Sequence, residues 1–264
     1  MRILNFLFSR SKQEQDKPIR DKLKTRKDFE RVLAEDLDIM ETTKARMDTA
    51  KNINLYMYRS LSYSYILILQ SKYSVDAKID ELRDIYIKSM HYFLQAFNKR
   101  NPIYADILKY VSLGVLLNIP DNNFRQLIDY VKQMDKQAKP SGWTPDLLLW
   151  FMLNSRMKEQ EKQKYAETLA YPRLYNGLYK VIQAPNAAAA KDSLNKYLDR
   201  WYNLNSNAPW YNSHLKDNSY RGYWAWEVAA VAKIMHIDDS DLKNNQYYPY
   251  DMVHWADNET TAKE

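Results

Sequence analysis

The chain has 264 residues, of which 45% are hydrophobic and 27% are charged, and it contains 22 tyrosines, four glycines and no cysteine. This composition is typical of a globular protein with a sizeable core, and the lack of cysteine excludes disulfides, thiol nucleophiles and thiolate metal sites. The net charge of +6 is unevenly spread, since residues 1–31 hold ten Lys/Arg against five Asp/Glu, whereas residues 227–264 hold three against eight.

The N-terminus reads MRILNFLFSRSK, and its apolar stretch is short, interrupted by Asn5 and followed by no small-residue cleavage site. The longest apolar stretch, ADILKYVSLGVLLNI, contains Lys109 and is shorter than the ~20 residues that a bilayer requires. We therefore expect no signal peptide, no membrane span and a cytoplasmic location. The basic segment 1–31 is typical of a solvated terminal arm, and contact with nucleic acid or an anionic membrane is the alternative.

Apolar residues recur at steps of three and four through the first half of the chain, which predicts α-helices. We expect helices over 27–48, 53–73 and 75–98. The next helix begins at Pro102, with Asn101 as its N-cap, and ends near Asn118, and a fifth is capped by Asp121. No stretch alternates with period two for long enough to predict a strand.

The segment KPSGWTP, residues 139–145, is the clearest break in the chain, because it holds two prolines and a glycine. We place a domain boundary there, giving one helical domain over 20–138 and another over 139–257. Helices in the second half are expected at about 145–157, 171–183, 187–203, 220–236 and 251–256. The predicted fold is all-α, with two packed helical halves built from antiparallel helical hairpins and about nine to ten helices.

Two segments resemble each other at an offset of 118 residues: VSLGVLLNIPDNNF, residues 111–124, and AAVAKIMHIDDSDL, residues 229–242. In each, an apolar helix runs into a turn that contains isoleucine and aspartate. Two matched units do not make a solenoid. They predict a similar helical hairpin in each half of the chain.

The most distinctive region covers residues 220–255, YRGYWAWEVAAVAKIMHIDDSDLKNNQYYPYDMVHW. Its first part is apolar on nearly all sides of a helix, which indicates a buried helix. Glu227 would then lie in the middle of that helix, where a carboxylate is costly unless it is hydrogen-bonded. We expect it to bind a Tyr hydroxyl, an Arg or a backbone donor. Asp239 is expected to cap the following element, with Asp238 adding charge at the turn.

These residues resemble the C-terminal signature of the PoNe immunity proteins, G-Y-W-x-x-E-x-A-A followed by I-D-D-S and Y-Y-P-Y-D-x-V-H. The resemblance covers about residues 20–257 and is strong only after Tyr197. At His236 the family pattern has glycine, which bears on the geometry of that helix end. We interpret as structural the signature residues Gly222, Tyr223, Trp224, Glu227, Asp238, Asp239, Tyr247, Tyr248, Pro249 and Asp251.

The resemblance implies a function that the residues alone do not reveal. Proteins of this family bind a cognate antibacterial DNase effector, often delivered by a type VI or other contact-dependent secretion system, and neutralise it in the cytoplasm of the producing cell. The implied protein is not an enzyme, needs no cofactor or metal, and has the toxin as its protein partner. A helical scaffold or adaptor with a different partner is the alternative, and a homodimer is left open.

Two other functional classes find little support in the sequence. An enzyme would need a nucleophile, a phosphate loop or a metal motif, and the spacing of Asp251 and His254 is the nearest approach to a ligand pair. A nucleic-acid binder would need basic residues on a folded face, yet outside residues 1–31 there are 29 basic residues against 28 acidic ones, counted as 39 − 10 and 33 − 5. We therefore expect no direct binding of nucleic acid.

A DNase is positively charged where it holds phosphates, and its inhibitor commonly presents carboxylates to that surface. The acidic C-terminal region therefore supplies the first toxin-binding candidates, Asp238, Asp239, Asp241 and Asp251. The alternative is that these residues cap helices or lie on a solvated edge. The second candidate is the aromatic loop around Trp210 and Tyr211.

Overall fold

The computed structural model describes residues 18–96, 103–136, 143–216 and 218–261. Within these residues the protein forms ten α-helices and no strand, which confirms the all-α prediction. The helices are α1 (Arg26–Thr49), α2 (Leu55–Ser74), α3 (Ile79–Ala96), α4 (Tyr104–Leu116), α5 (Asp121–Lys136), α6 (Leu147–Asn154), α7 (Pro172–Ile182), α8 (Ala187–Leu204), α9 (Trp226–Met235) and α10 (Tyr250–Thr261). Short 3-10 helices cover Glu159–Glu161, Ser213–Leu215 and Ser240–Leu242.

Some predictions fall on residues outside the described ranges. Residues 1–17 of the basic N-terminal segment are among them, and so are Asn101 and Pro102. None of the helices in the described part of the chain is both long enough and apolar enough to cross a membrane.

Contacts between Cα atoms divide the chain into two compact units. Unit 1 comprises Met1–Ala96 together with Pro209–Tyr223, and unit 2 comprises Phe97–Ala208 together with Trp224–Glu264. The predicted division into 20–138 and 139–257 rests on the sequence break at residues 139–145, and this clustering of contacts is not a test of it. That division therefore stays a prediction.

Unit 1 is built on three helices in which α1 packs against α2 and α2 against α3. Thr25 begins α1 with a capping box, because its side chain accepts a hydrogen bond from the Asp28 N–H while the Asp28 side chain accepts one from the Thr25 N–H. Asn54 caps α2 in a similar way through the Met57 N–H. Only residues 50–54 and 75–78 join these helices, so consecutive helices pack against each other in antiparallel directions.

Helix α3 begins later than the predicted residue 75, and the backbone explains the difference. Asp76 has a φ of 78°, in the left-handed region, which is incompatible with a helix running through it. The Ala77 N–H instead donates to the Lys72 carbonyl oxygen at 3.0 Å, closing the end of α2. The chain therefore turns before α3 starts at Ile79.

Unit 2 is organised around α9, which packs against α4, α6, α7, α8 and α10. Trp226 and all residues from Val228 to Ala232 are buried, as the apolar pattern of this helix predicts. The helix is shorter than the predicted 220–236, because residues 220–225 are not helical. The Ala225 N–H donates to the Tyr247 carbonyl oxygen at 2.8 Å rather than to a helical acceptor.

The internal resemblance at an offset of 118 residues corresponds to the same kind of helix end. Asn118 after α4 and His236 after α9 have φ values of 43° and 52°. The N–H of the following isoleucine then reaches back five residues in each case, from Ile119 to Gly114 at 3.3 Å and from Ile237 to Ala232 at 3.0 Å. This is the pattern of a Schellman motif. The element that follows differs, because α5 is a long helix whereas Ser240–Leu242 is a single 3-10 turn.

Candidate functional site

Asp238 and Asp241 form an exposed acidic edge on unit 2 and share one cation. Lys191 Nζ lies 2.8 Å from Asp238 Oδ2 and 3.2 Å from Asp241 Oδ1. The Asn195 amide also donates to Asp241 Oδ2 at 2.9 Å. Two carboxylates around a single ammonium group retain a net negative charge.

The environment of the acidic edge favours the charged form of both carboxyl groups. The hydrogen bonds from Lys191 and Ser240 hold the pKa of Asp238 well below its ordinary value. The pKa of Asp241 is lowered by the hydrogen bonds from Asn195 and Lys191. Both residues are therefore ionised at any physiological pH.

Asp239 lies in the protein interior, unlike its neighbours, with only 3% of its surface exposed. Its Oδ2 accepts a hydrogen bond from the Tyr248 hydroxyl at 2.6 Å, and its Oδ1 lies 2.8 Å from His254 Nε2. The expectation that Asp239 caps the next element is wrong, since its side chain makes no capping hydrogen bond. Asp238 instead accepts a hydrogen bond from the Ser240 N–H at 3.2 Å within the turn.

Asp251 is exposed in the first turn of α10, where the helix dipole favours a negative charge. Asp251 and two of the other acidic residues act on the same phenol, that of Tyr250. Partial burial, and then the carboxylates of Asp239, Asp238 and Asp251, raise the pKa of Tyr250. The three carboxylates therefore all lie near one phenol.

The imidazole of His254 contacts the buried Asp239 carboxylate through Nε2. Its ring also lies 4.4 Å from that of Tyr250. No group of three or more His, Cys, Asp or Glu side chains in the described part of the chain has the arrangement of a metal site.

Trp210 and Tyr211 lie in the 209–223 segment and are both half-buried. The Trp210 ring packs on Tyr223 at a centroid distance of 5.4 Å. The Tyr223 hydroxyl in turn accepts a hydrogen bond from the His214 N–H at 3.0 Å. Asn212 between them has a φ of 59°. The loop is therefore held by its own contacts, and Leu215 is its most exposed apolar residue, with 73% of its surface accessible.

A buried ion pair that the sequence does not reveal anchors the same segment within unit 1. Arg221 donates to Asp36 twice, from Nε to Oδ2 at 2.6 Å and from Nη2 to Oδ1 at 2.9 Å. Tyr220 donates its hydroxyl to the buried Asp21. Gly222, which follows, has a φ of 101°, a conformation that only glycine adopts without strain.

Glu227 lies in the first turn of α9 rather than in the middle of a helix. The Trp201 indole N–H, which the sequence does not predict as a partner, donates to its Oε1 at 2.6 Å. A backbone hydrogen bond from Glu227 itself also stabilises the carboxylate, in line with the expected backbone donor. Although Glu227 as a residue keeps some exposure, burial of its carboxyl group raises the pKa. Tyr247 covers this region, with its ring 5.6 Å from Trp201.

Three further signature residues, Tyr248, Pro249 and Trp224, pack in the interior of unit 2. Tyr248 and Pro249 are buried at the start of α10, and Trp224 is buried with its ring 6.2 Å from Trp226. At His236, where the family pattern has glycine, the backbone is left-handed, with φ 52° and ψ 41°. Histidine here adopts the conformation for which glycine is favoured.

Two protein-family models match most of this chain. The family model described as PoNe immunity protein (PoNi), N-terminal, matches residues 11–129, and the model described as PoNe immunity proteins (PoNi), C-terminal, matches residues 144–252. No curated protein matches the chain significantly.

Protein PA2201 from Pseudomonas aeruginosa, a solved crystal structure, matches with a TM-score of 0.67 and 19% sequence identity, over 93% of this chain and 92% of that one. At this identity the likeness shows the fold alone. The two family models together span most of the sequence and both parts of the family. The chain therefore belongs to the PoNe immunity protein (PoNi) family, a family of non-enzymatic inhibitors.

Proposed function

We propose that this protein binds a cognate antibacterial DNase of the PoNe type and neutralises it in the cytoplasm of the producing cell and its kin. The observation that carries the proposal is the match of both family models, over residues 11–129 and 144–252. Delivery of the toxin by a type VI or another contact-dependent secretion system belongs to the same proposal. The protein would act by association with the toxin.

The acidic edge is the candidate toxin-facing surface that electrostatics favours. A DNase concentrates positive charge where it holds the DNA phosphates. Asp238 and Asp241 are exposed and ionised, and Lys191 offsets only part of their charge. Such a surface would steer a basic partner during encounter. A toxin lysine or arginine would also find ready-made acceptors there.

The candidates differ in how well they suit this role. Asp239 is buried and holds Tyr248 and His254, so the proposed contact surface does not include its side chain. Asp241 lies outside the family signature and is the sharper probe of a contact specific to one toxin. Trp210 and Tyr211 form the second candidate surface, on unit 1.

Protection of living cells tests the proposal. The cognate PoNe-type toxin domain is expressed from an inducible promoter in a susceptible bacterium, alone or with this protein. We expect loss of viability and chromosome fragmentation with the toxin alone, and normal growth with both. An unrelated DNase is the specificity control. Equal killing by the PoNe toxin with and without this protein would reject the proposal and favour an adaptor role.

A further inference from the structure

The turn between α1 and α2 presents an unusually exposed apolar segment. Residues 51–56, KNINLY, are all exposed, and they form the longest uninterrupted exposed run in the described part of the chain. Three of them are large and apolar: Ile53, Leu55 and Tyr56 expose 44%, 48% and 76% of their surface. We call Lys51–Tyr56 the hairpin tip.

The composition around the hairpin tip is that of a protein-binding hot spot. Met57, Tyr58 and Arg59 follow it directly, and tyrosine, methionine and arginine are the residues enriched at interface cores. Exposed Arg46, Lys51 and Arg59 stand against one exposed carboxylate, Asp48. The surface that complements this segment is therefore apolar in its centre and acidic at its rim.

The hairpin tip is also held in a defined conformation. Asn54 Oδ1 accepts from the Met57 N–H at 3.1 Å, so Leu55 and Tyr56 occupy the first turn of a 20-residue helix. Behind them the Tyr58 ring lies 6.4 Å from Tyr92, which is stacked on Tyr65 at 5.8 Å. A backbone fixed in this way loses little conformational entropy on binding.

Two arguments identify the occupant. The hairpin tip lies outside the C-terminal signature that family members share. Residues that distinguish one toxin from another are expected outside that signature. Three exposed side chains also cover far less than the roughly 800 Å² per partner of a stable interface, so the hairpin tip alone does not hold a second copy of the chain. It suits instead the anchor of a larger interface.

We propose that the hairpin tip anchors this protein to its toxin by entering an apolar, acid-rimmed depression. This inference rests on the proposed function. Because the DNA-binding surface of a nuclease is basic, the depression lies elsewhere on the toxin. The hairpin tip then governs the lifetime of the complex, whereas the acidic edge governs the rate at which it forms.

Binding kinetics of single variants test the anchor. Tyr56→Ala and Leu55→Ala are compared with wild type on an immobilised, catalytically inactivated domain of the cognate PoNe-type toxin. Ile39→Ala is the matched control, since Ile39 is 51% exposed on the same unit but lies outside the hairpin tip. We expect each hairpin-tip variant to raise the dissociation rate about tenfold or more at an unchanged association rate, with no change for Ile39→Ala. Circular dichroism melts verify that each variant folds.

The outcomes separate this inference from the proposed function. Failure of wild type to bind the toxin would overturn both. Wild-type binding with hairpin-tip variants that dissociate at the wild-type rate would overturn the anchor alone. Two further results for hairpin-tip variants that dissociate from the toxin at the wild-type rate would also overturn the anchor inference. Weaker self-association of these variants in light scattering would assign the hairpin tip to a second copy of the chain. Weaker binding to phosphatidylglycerol vesicles in a sedimentation assay would assign it to a membrane. Lys51→Glu, which reverses one flanking charge, should accelerate dissociation if the rim of the depression is acidic.

Discussion

The Trp201 indole N–H donates a hydrogen bond to Glu227 Oε1 at 2.6 Å, and this pair joins α8 to the first turn of α9. Two buried tyrosines, Tyr175 and Tyr197, lie close enough that the charge of Glu227 adds to burial in raising their pKa values. The carboxylate is thus a buried acceptor at the centre of unit 2.

Replacing Glu227 should destabilise the protein through the donor that it leaves behind. Glu227→Ala leaves the Trp201 N–H without its acceptor and should lower the free energy of unfolding by roughly 1–3 kcal/mol. Glu227→Gln keeps an acceptor oxygen and should cost less. Urea denaturation of both variants measures the difference. An unchanged midpoint in Glu227→Ala, together with lost toxin protection, would make Glu227 a contact residue.

The stability of the wild type relative to Glu227→Gln should depend on pH. Burial raises the pKa of Glu227 above its ordinary value of 4.5, so the folded state holds that proton more tightly than the unfolded state. The resulting stabilisation is fully present below pH 4.5 and is lost as the pH rises through the folded-state value. The buried Asp21 and Asp36 contribute equally to both proteins and cancel. Parallel curves of unfolding free energy against pH would contradict the assignment.

Breaking the Arg221–Asp36 pair should be among the most damaging single changes. Arg221→Ala leaves the carboxylate of Asp36 buried without its two donors, at a cost of about 3–5 kcal/mol. The control is Arg125→Ala, whose exposed pair with Glu161 should contribute less than about 1 kcal/mol. Denaturant melts measure both. Equal small losses would show that the buried pair does not hold the 209–223 segment.

Glycine at position 236 should stabilise the protein. His236 is exposed and has a φ of 52°, a conformation that costs a non-glycine residue about 1 kcal/mol. His236→Gly should therefore raise the midpoint of thermal unfolding. Asn118→Gly at the equivalent helix end should have a smaller effect, because asparagine tolerates this conformation. A lower midpoint for His236→Gly would mean that the histidine side chain makes a stabilising contact.

Charge reversal at Asp241 tests the acidic edge. Asp241→Lys should leave folding within about 0.5 kcal/mol of wild type. Its association with the toxin domain should be slower, most visibly at low salt, where charges are least screened. Glu159→Lys is the control, since Glu159 is also an exposed carboxylate paired with a lysine, Lys162. Association of Asp241→Lys at the wild-type rate in low salt would remove it from the interface and leave Trp210 and Tyr211 as the next candidates.

Periodicity in the sequence predicts the helices well where apolar residues mark one face, as in α1 and α8, whose observed bounds lie within a residue of the predicted ones. It fails where a single backbone conformation decides, as at Asp76 and Gly222. Long-range partners escape it as well. Arg221 and Asp36 lie 185 residues apart, and no local pattern connects them. The sequence indicates this ion pair only through the presence of an arginine directly before the signature glycine.

Among the candidate site residues, the sequence predicts which carboxylates lie close together but not which are buried. Asp238 and Asp239 are neighbours with identical side chains, yet one is exposed beside Lys191 and the other is enclosed by Tyr248 and His254. The difference arises from the turn between α9 and the 3-10 helix Ser240–Leu242, which directs the two side chains apart.

A titration of DNA cleavage tests the central claim most directly. The purified cognate PoNe-type toxin domain is mixed with increasing amounts of this protein, and cleavage of plasmid DNA is followed. We predict that cleavage falls in proportion to added protein and ends near equimolar addition, while an unrelated DNase is unaffected. Undiminished cleavage by the PoNe toxin domain in an excess of the folded protein would contradict its assignment as that toxin's inhibitor.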